Sequence, residues 1–311
     1  MIEVQAMDQS TVVEGAGKER APIIWPRITL VTPVLNSARY IEQTLRSVIY
    51  QGYPNLEYIV VDGGSTDGTV EILERYKEHF SWWVTEPDNG HFDALNKGFA
   101  RSSGEIMGWI NGSDQLHLGA LFNVGSVFRA LPDVEWITGL PTWFDEQGMV
   151  VKVGPLPHWS RLRFLAGANR YIQQESTFWR RTLWQKAGGH VDASRRIAND
   201  FELWVRFFRH ARLYPVNALI GGYRSHPDAV SSQHQSECHR IHDEIIEAEL
   251  SCLRWGGLLK AFCHTSARLQ QIRKVRVLWW HLVTRSLYSL PGPDWAPVIE
   301  YHLDGNRWTR Q

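Results

Sequence analysis

Glu105-Ile-Met-Gly-Trp-Ile-Asn-Gly-Ser-Asp114 reads as a buried strand, Ile106 to Ile110, that runs out into a polar turn ending on one carboxylate. In an open α/β sheet, ligands gather just beyond the carboxyl ends of the strands. An acid at that place can hold a divalent cation, and the cation a diphosphate. The same residues also suit a helix start, with Ser113 or Asp114 capping the helix that Leu118-Gly-Ala-Leu-Phe122 suggests. Several other polar turns in the chain stand at equivalent positions after strands, which favours the site reading.

Working back from that stretch, order begins at Arg27, and Ile28-Thr-Leu-Val-Thr-Pro-Val34 is a short apolar strand. Ser37 is placed to cap a helix from Ala38 to Tyr50, with Ile41, Leu45, Val48 and Ile49 on one face. A second strand, Leu56-Glu-Tyr-Ile-Val-Val61, ends on Asp62. The glycine-rich turn Gly63-Gly-Ser-Thr-Asp67-Gly-Thr69 leads into a helix carrying Val70, Ile72, Leu73 and Tyr76. A third strand, Ser81 to Thr85, ends on Glu86-Pro-Asp-Asn-Gly90 and is followed by a helix from about Phe92 to Ala100. Strand, turn and helix thus recur four times, the pattern of a parallel, doubly wound sheet. Each strand ends on an acid or amide: Asn36, Asp62, Glu86 with Asp88, and Asn111 with Asp114.

Beyond Asp114 the pattern loosens. Val134 to Thr138 is a strand, and Thr142 to Val153 is a hairpin turning at Glu146-Gln-Gly148. Ile172 to Arg180 is extended, and Arg181 to Ala187 is a short helix stopped by Gly188-Gly189. Ile197-Ala-Asn-Asp200 leads into a helix, Phe201 to His210, whose apolar face is Phe201, Trp204, Val205 and Phe208. Leu213 to Val216 and Leu219 to Tyr223 are closing strands. The organisation is a disordered leader, 1–26, a domain over 27–230 with halves 27–116 and 117–230, and a basic helical tail, 231–311. Within that tail, Ser251 to Leu290 holds seven Lys and Arg residues and no acid beside Trp255, Trp279, Trp280 and many leucines. Such a stretch suits an anionic membrane surface, or else helices packed back on the domain.

Composition closes off several classes. Formal net charge is zero over 311 residues, so no global field draws the chain to nucleic acid. The three cysteines, Cys238, Cys252 and Cys263, form neither a metal spacing nor a disulfide framework and fit a reducing, cytoplasmic setting. No run approaches the roughly 20 apolar residues that span a bilayer, and no G-x-G-x-x-G follows the first strand.

Thr32-Pro-Val-Leu-Asn36, Val60-Val-Asp-Gly-Gly-Ser-Thr-Asp-Gly-Thr69, Glu86-Pro-Asp-Asn-Gly90 with Asp93-Ala-Leu-Asn-Lys-Gly98, and Trp109-Ile-Asn-Gly-Ser-Asp114 come in order at suitable spacings. Together they resemble the nucleotide-sugar-binding half of the family 2 glycosyltransferases, which have the GT-A fold. Gln174-Glu-Ser-Thr-Phe-Trp-Arg180 and Ala198-Asn-Asp-Phe-Glu-Leu-Trp-Val-Arg206 resemble that family's acceptor-side segments. The resemblance covers residues 27–230. It implies an α/β fold of GT-A type, a Rossmann-like, mostly parallel sheet flanked by helices, with a C-terminal helical appendage.

It also implies roles. Thr32, Pro33, Asn36 and Asp62 would meet the nucleobase, although Asp62 before two glycines also suits a turn. Glu86, with Asp88, would contact the ribose or close the site, Asp93 would reach the donor sugar or its ribose, and Lys97 and Asn111 would belong to the donor side. Asp93 and Lys97 also suit a surface pair one helical turn apart. Asp114, joined late by His226, would hold Mg²⁺ or Mn²⁺ against the diphosphate, with Ser113 standing where the family has a second acid. Arg224 would offset phosphate charge. Asp200 would be the general base of an inverting transfer, with Gln174, Glu175, Arg180 and Trp204 on the acceptor side. Trp204 equally fits the apolar core face of its helix.

The expected function is therefore a hexosyltransferase-type enzyme moving sugar from a nucleotide-diphosphate donor to a glycan or lipid-linked acceptor in cell-surface polysaccharide synthesis, at the inner face of the plasma membrane. A non-catalytic nucleotide-sugar-binding or scaffold protein of the same fold is the alternative, supported by Ser113. A nucleotidyltransferase would want glycine and lysine after the first strand, and Thr32-Pro-Val-Leu-Asn36 has neither.

Overall fold

The structure, a computed structural model, describes residues 23–166, 170–227, 234–253 and 296–311. β1 (Ile28–Val34) and β2 (Leu56–Asp62) run parallel in a seven-stranded sheet, Ile28 opposite Leu56 and Val34 opposite Asp62. β3 (Trp82–Thr85) lies outside β2, and β4 (Ile106–Trp109) on the other side of β1, both parallel to their neighbours. Beyond β4 come β9 (Thr177–Arg180), antiparallel to β4 and to β6 (Trp136–Thr138), and then β10 (Tyr214–Pro215). A second, four-stranded sheet has the order β5 (Gln115–Leu116), β11 (Gly221–Arg224), β7 (Thr142–Phe144), β8 (Val150–Val153).

The central strands are apolar at nearly every position because both faces of the sheet are covered. Successive side chains point to opposite faces. Val31, Ile59, Val61, Met107, Trp109, Trp136 and Trp179 enter one core, with α3 (His91–Arg101), α5 (Arg161–Leu165), α6 (Arg181–Lys186), α7 (Asn199–Phe208) and α8 (Gln235–Ser251). Leu30, Tyr58, Val60, Ile106, Ile137 and Phe178 enter the other, with α1 (Ile41–Ile49) and α4 (Ala120–Ala130). Leu73 of α2 (Thr69–Tyr76) joins this second core. Gly98 lets α3 lie against the sheet, since a Cβ there would come within 2.5 Å of Val31 Cγ1.

Four expectations are corrected. Order reaches back past Arg27: the Trp25 ring packs edge-on to Tyr53 and Phe122, and the Tyr53 hydroxyl donates to the Pro26 carbonyl. Ser37 does not cap α1. Its carbonyl takes the amides of Tyr40 and Ile41, while its hydroxyl turns back to the Leu35 carbonyl. Asp114 does not cap a helix either, because β5 follows it directly and α4 starts after Gly119. The appendage is not helical throughout: after α8, residues 299–310 form an antiparallel hairpin of β12 (Ile299–His302) and β13 (Arg307–Arg310). Trp308 of that hairpin donates to Ser126 Oγ on α4, and Val216 bridges to Ile299. The leader over 1–22 and the basic, Trp-rich stretch from 254 to 290 lie outside the described residues. No helix among the described residues is long and apolar enough to cross a membrane.

Candidate active site

The turn after β4 is built around Asp114. Its amide donates to the Asn111 carbonyl, and the Asn111 side-chain amide donates to its Oδ2 at 3.0 Å. Its Oδ1 accepts the Arg224 backbone amide from β11 at 2.9 Å. Thr44, on the buried face of α1, donates its hydroxyl to the carbonyls of Gly112 and Asp114. Arg224 Nε holds the Ser113 carbonyl at 2.6 Å, and Nη1 reaches Gln43 and the Glu146 carbonyl. Asp114 is 1% exposed, and burial pushes its carboxyl up to about 6 against the pull of the Arg224 amide, the Asn111 amide and the Arg224 charge.

The Asp114 charge reaches a second acid, Glu175, and so does that of a third, Asp200. Glu175 lies in the short 3₁₀ turn Gln174–Ser176 that enters β9 and is buried. Its carboxyl is pushed well up, first by burial, then by the Asp114 charge, with the Asp200 charge adding. Asp200 is in the first turn of α7, after Ala198 in the left-handed region at φ 63°. Burial raises its carboxyl, although the Phe201 amide and its own oppose this at the helix N-terminus. Around these acids stand buried oxygens with no hydrogen-bond donor: Asn111 Oδ1, Gln174 Oε1, Glu175 Oε1 and Asn199 Oδ1. Unpaired buried polar atoms of this kind are costly and mark sites where a ligand supplies the partner. The Gly221 position on β11 has no room for a Cβ, which would fall 2.0 Å from the Glu175 carbonyl oxygen. The glycine therefore lets β11 close on the turn that holds Glu175.

The oxygen donors of Asp114 and Asn111 fit a hard cation that takes the rest of its shell from phosphate and water. Among the described residues no three His, Cys, Asp or Glu side chains are grouped to hold a metal without such help. His226 lies two residues past Arg224, and its ring rests 4.7 Å from that of Tyr40.

The donor-side candidates fall into three groups. Thr32 and Pro33 lie inside β1, which runs on to Val34, and the Thr32 hydroxyl is buried against the Tyr58 hydroxyl at 3.0 Å. Neither therefore closes the strand. Asn36 and Asp62 organise neighbouring turns. Asn36, left-handed at φ 47°, accepts the Thr66 amide, and its own amide donates to Ser65 Oγ. Asp62 accepts the Gly64 and Ser65 amides and the Ser65 and Thr85 hydroxyls, which fills its carboxylate. Glu86, Lys97 and Asp93 form a chain at the surface, Lys97 standing 3.0 Å from Glu86 and 3.7 Å from Asp93. Asp93 also accepts the Asn89 amide, which ties α3 to the turn before it.

On the acceptor side Gln174 and Glu175 line the acid cluster, with Gln174 Nε2 donating to the Trp109 carbonyl. Arg180 and Trp204 do not. Arg180 pairs with Ile106 at the start of β4, so it sits at the opposite end of the sheet, clamping Glu105 and the carbonyls of Val134 and Phe128. Trp204 is core, stacked between Trp109 at 5.6 Å and Trp136 at 5.5 Å. The sequence reading missed Thr44 and Gln43; the one signal for Thr44 was a polar side chain at a helical spacing otherwise facing the core, and Gln43, on the exposed side of α1, gave none.

Residues 29–130 match the model of glycosyl transferase family 2. An uncharacterized glycosyltransferase of Mycobacterium tuberculosis is 31% identical over 186 residues, which cover 58% of this chain and 68% of the relative. Staphylococcus aureus TarS residues 1–349, solved with UDP-GlcNAc, superpose with a TM-score of 0.57 at 18% identity, over 73% of this chain and 67% of that one. Against a longer TarS chain the match spans 40% of its length. The mannosyltransferase PcManGT of Pyrobaculum calidifontis, solved with GDP-Man and Mn²⁺, gives a TM-score of 0.51 at 19% identity, over 82% of this chain and 83% of that one.

Proposed function

The chain belongs to glycosyltransferase family 2 and has the GT-A fold, and from that premise we propose that it transfers a sugar from a nucleoside diphosphate to a hydroxyl of a glycan or lipid-linked acceptor, with inversion. The observation that carries this is three acids from different elements, Asp114, Glu175 and Asp200, with the charges of Asp114 and Asp200 both raising the proton affinity of Glu175 beside unpaired buried oxygens. Such a cluster is unfavourable for folding and is kept where it does chemistry.

Asp114 and Asn111 hold the diphosphate end of the donor. A bound Mg²⁺ or Mn²⁺ would neutralise the charge that grows on the leaving diphosphate. Glu175, whose carboxyl is pushed well up by burial and by the Asp114 charge, meets a substrate oxygen. Asp200 takes the proton of the attacking hydroxyl, and its raised pKa makes it a better acceptor than a free aspartate. In this reading Asp62 and Asn36 shape the two turns beneath the base, and Glu86, Asp93 and Lys97 close the ribose side. His226 approaches the diphosphate from the β11 side. With one acid at the metal, affinity for the cation is low until the donor brings its phosphates.

Titration calorimetry with UDP-, GDP- and dTDP-sugars, with Mn²⁺ and with chelator, tests the reading. One nucleotide class should bind in a metal-dependent way, and Asp114→Ala should lose that binding. A folded protein that binds no nucleotide sugar would turn the assignment toward a scaffold of the same fold.

A further inference from the structure

We propose that Tyr171 is the platform on which the acceptor sugar stacks, pinned by His239 of α8 and set at the rim of the acid cluster; this rests on the glycosyltransferase reading above. Tyr171 is 60% exposed, and its partners among the described residues are tied down. Its hydroxyl bonds to His239 Nε2. On one side Arg170 pairs with Asp243 of α8 at 2.7 Å. On the other, Ile172 is buried, and Gln173 bonds the Thr142 amide and carbonyl as an added strand residue would. Glu175 follows two residues later.

The link to Asp200 runs through rings. Phe201, the residue after Asp200, stacks on His242 with centroids 3.9 Å apart and planes at 16°. The His242 ring lies 5.9 Å from that of Tyr171, and the His239 ring, one helical turn before His242, at 6.0 Å. The Tyr171 and Phe201 rings are thus within about 10 Å of each other, which brings Tyr171 near the start of α7 that carries Asp200. The same strip of α8 faces the base, since the Asp200 charge helps to raise the Cys238 thiol after burial.

An exposed aromatic ring held in one orientation offers an apolar face at little entropic cost, and the apolar face of a pyranose is its natural partner. His239, Arg170 and Asp243 supply polar groups at the ring's edge for the hydroxyls of that sugar. The other exposed tyrosines among the described residues, Tyr50 and Tyr301, sit at the end of α1 and on the terminal hairpin.

The test is saturation-transfer NMR on the full chain with the methyl glycosides of glucose, galactose, mannose and N-acetylglucosamine, run beside calorimetry with UDP and GDP. At least one glycoside should bind the wild type and Tyr171→Phe. Its affinity should fall about ten-fold in Tyr171→Ala and less in His239→Ala, while nucleotide affinity stays the same in all four proteins. Equal glycoside binding by Tyr171→Ala, loss of nucleotide binding together with glycoside binding in that variant, or no glycoside bound by the wild type would each overturn the proposal. A wild type that binds glycoside through Tyr171 but no nucleotide would remove the donor reading and leave the platform standing.

Discussion

Asp200 and Gly221 show how much of the site hangs on single residues. Asp200→Asn keeps the shape at the start of α7 but cannot take a proton, so transfer should fall by about 10²-fold or more. Donor affinity measured by calorimetry should stay within error, because the donor meets the Asp114 side. Retained transfer in that variant would take Asp200 out of the base role. Gly221→Ala acts through packing: its Cβ would press on the Glu175 backbone, which cannot yield as a flexible side chain would. It should cost about 1–3 kcal/mol in urea denaturation and also lower transfer, because β11 carries the amide that holds Asp114. A Gly221→Ala protein as stable as the wild type would mean that β11 and the Gln174–Ser176 turn move apart freely. At this scale the places of Asp114, in the turn after β4, and of Asp200, in the first turn of α7, were legible because residue type and turn position coincided, while their roles are proposals. The sequence was not legible at Thr32, whose hydroxyl faces Tyr58 beneath the strand, while at Asp62 the turn the two glycines suggested is present and the Thr85 hydroxyl of β3 joins it.

The elements up to β4 could be read because apolar runs, polar turns and amphipathic helices alternate with a steady period. Strand direction could not. β9 is antiparallel, so its first residues, beside Gln174 and Glu175, reach the carboxyl end of β4, and its last, Arg180, reaches the other end. A segment that looked wholly acceptor-side is split between site and scaffold for that reason alone. α8 shows a related limit: its partners are remote in sequence. Glu249 near its end is buried and bonds Arg161 and Arg209, joining α8 to α5 and to the end of α7. Burial opposes ionisation of Glu249, but the Arg209 and Arg161 hydrogen bonds and charges outweigh it, and its pKa is lowered. A carboxylate whose folded pKa lies below its unfolded value contributes stability that is complete above the unfolded value, about 4.3, and is lost as pH falls through the lowered folded value. Glu249→Gln should therefore cost about 1–2 kcal/mol of stability at pH 7, after discounting the partly exposed arginines, and lower the melting temperature accordingly. The gap to the wild type should close below about pH 4. A gap that persisted undiminished into acid would show that shape rather than charge holds α8.

For the molecule as a whole, the main sheet is a partition. α8 belongs to the core on one face, through Ile241, Ile245, Ile246 and Leu250, and the terminal hairpin to the core on the other, through Ile299 and Trp308. The hairpin was within reach of the sequence, since Ile299-Glu-Tyr-His302 and Arg307-Trp-Thr-Arg310 flank a turn containing Gly305-Asn306. Its basic, Trp-rich forerunner drew it into a helical reading instead. Trp308 is nearly buried and spends its ring N–H on Ser126, so Trp308→Ala should cost about 3 kcal/mol. Perturbations without shared partners on opposite sides of a packed sheet add, whereas those in one network do not. The double variant Glu249→Gln, Trp308→Ala should then lose the sum of the two single losses within about 0.5 kcal/mol, by chemical denaturation at pH 7. A larger discrepancy would mean that the sheet transmits strain between its faces. α8, with Tyr171 beside it, would then answer to what happens at the hairpin, and the acceptor rim could not be treated as separate from the rest of the fold.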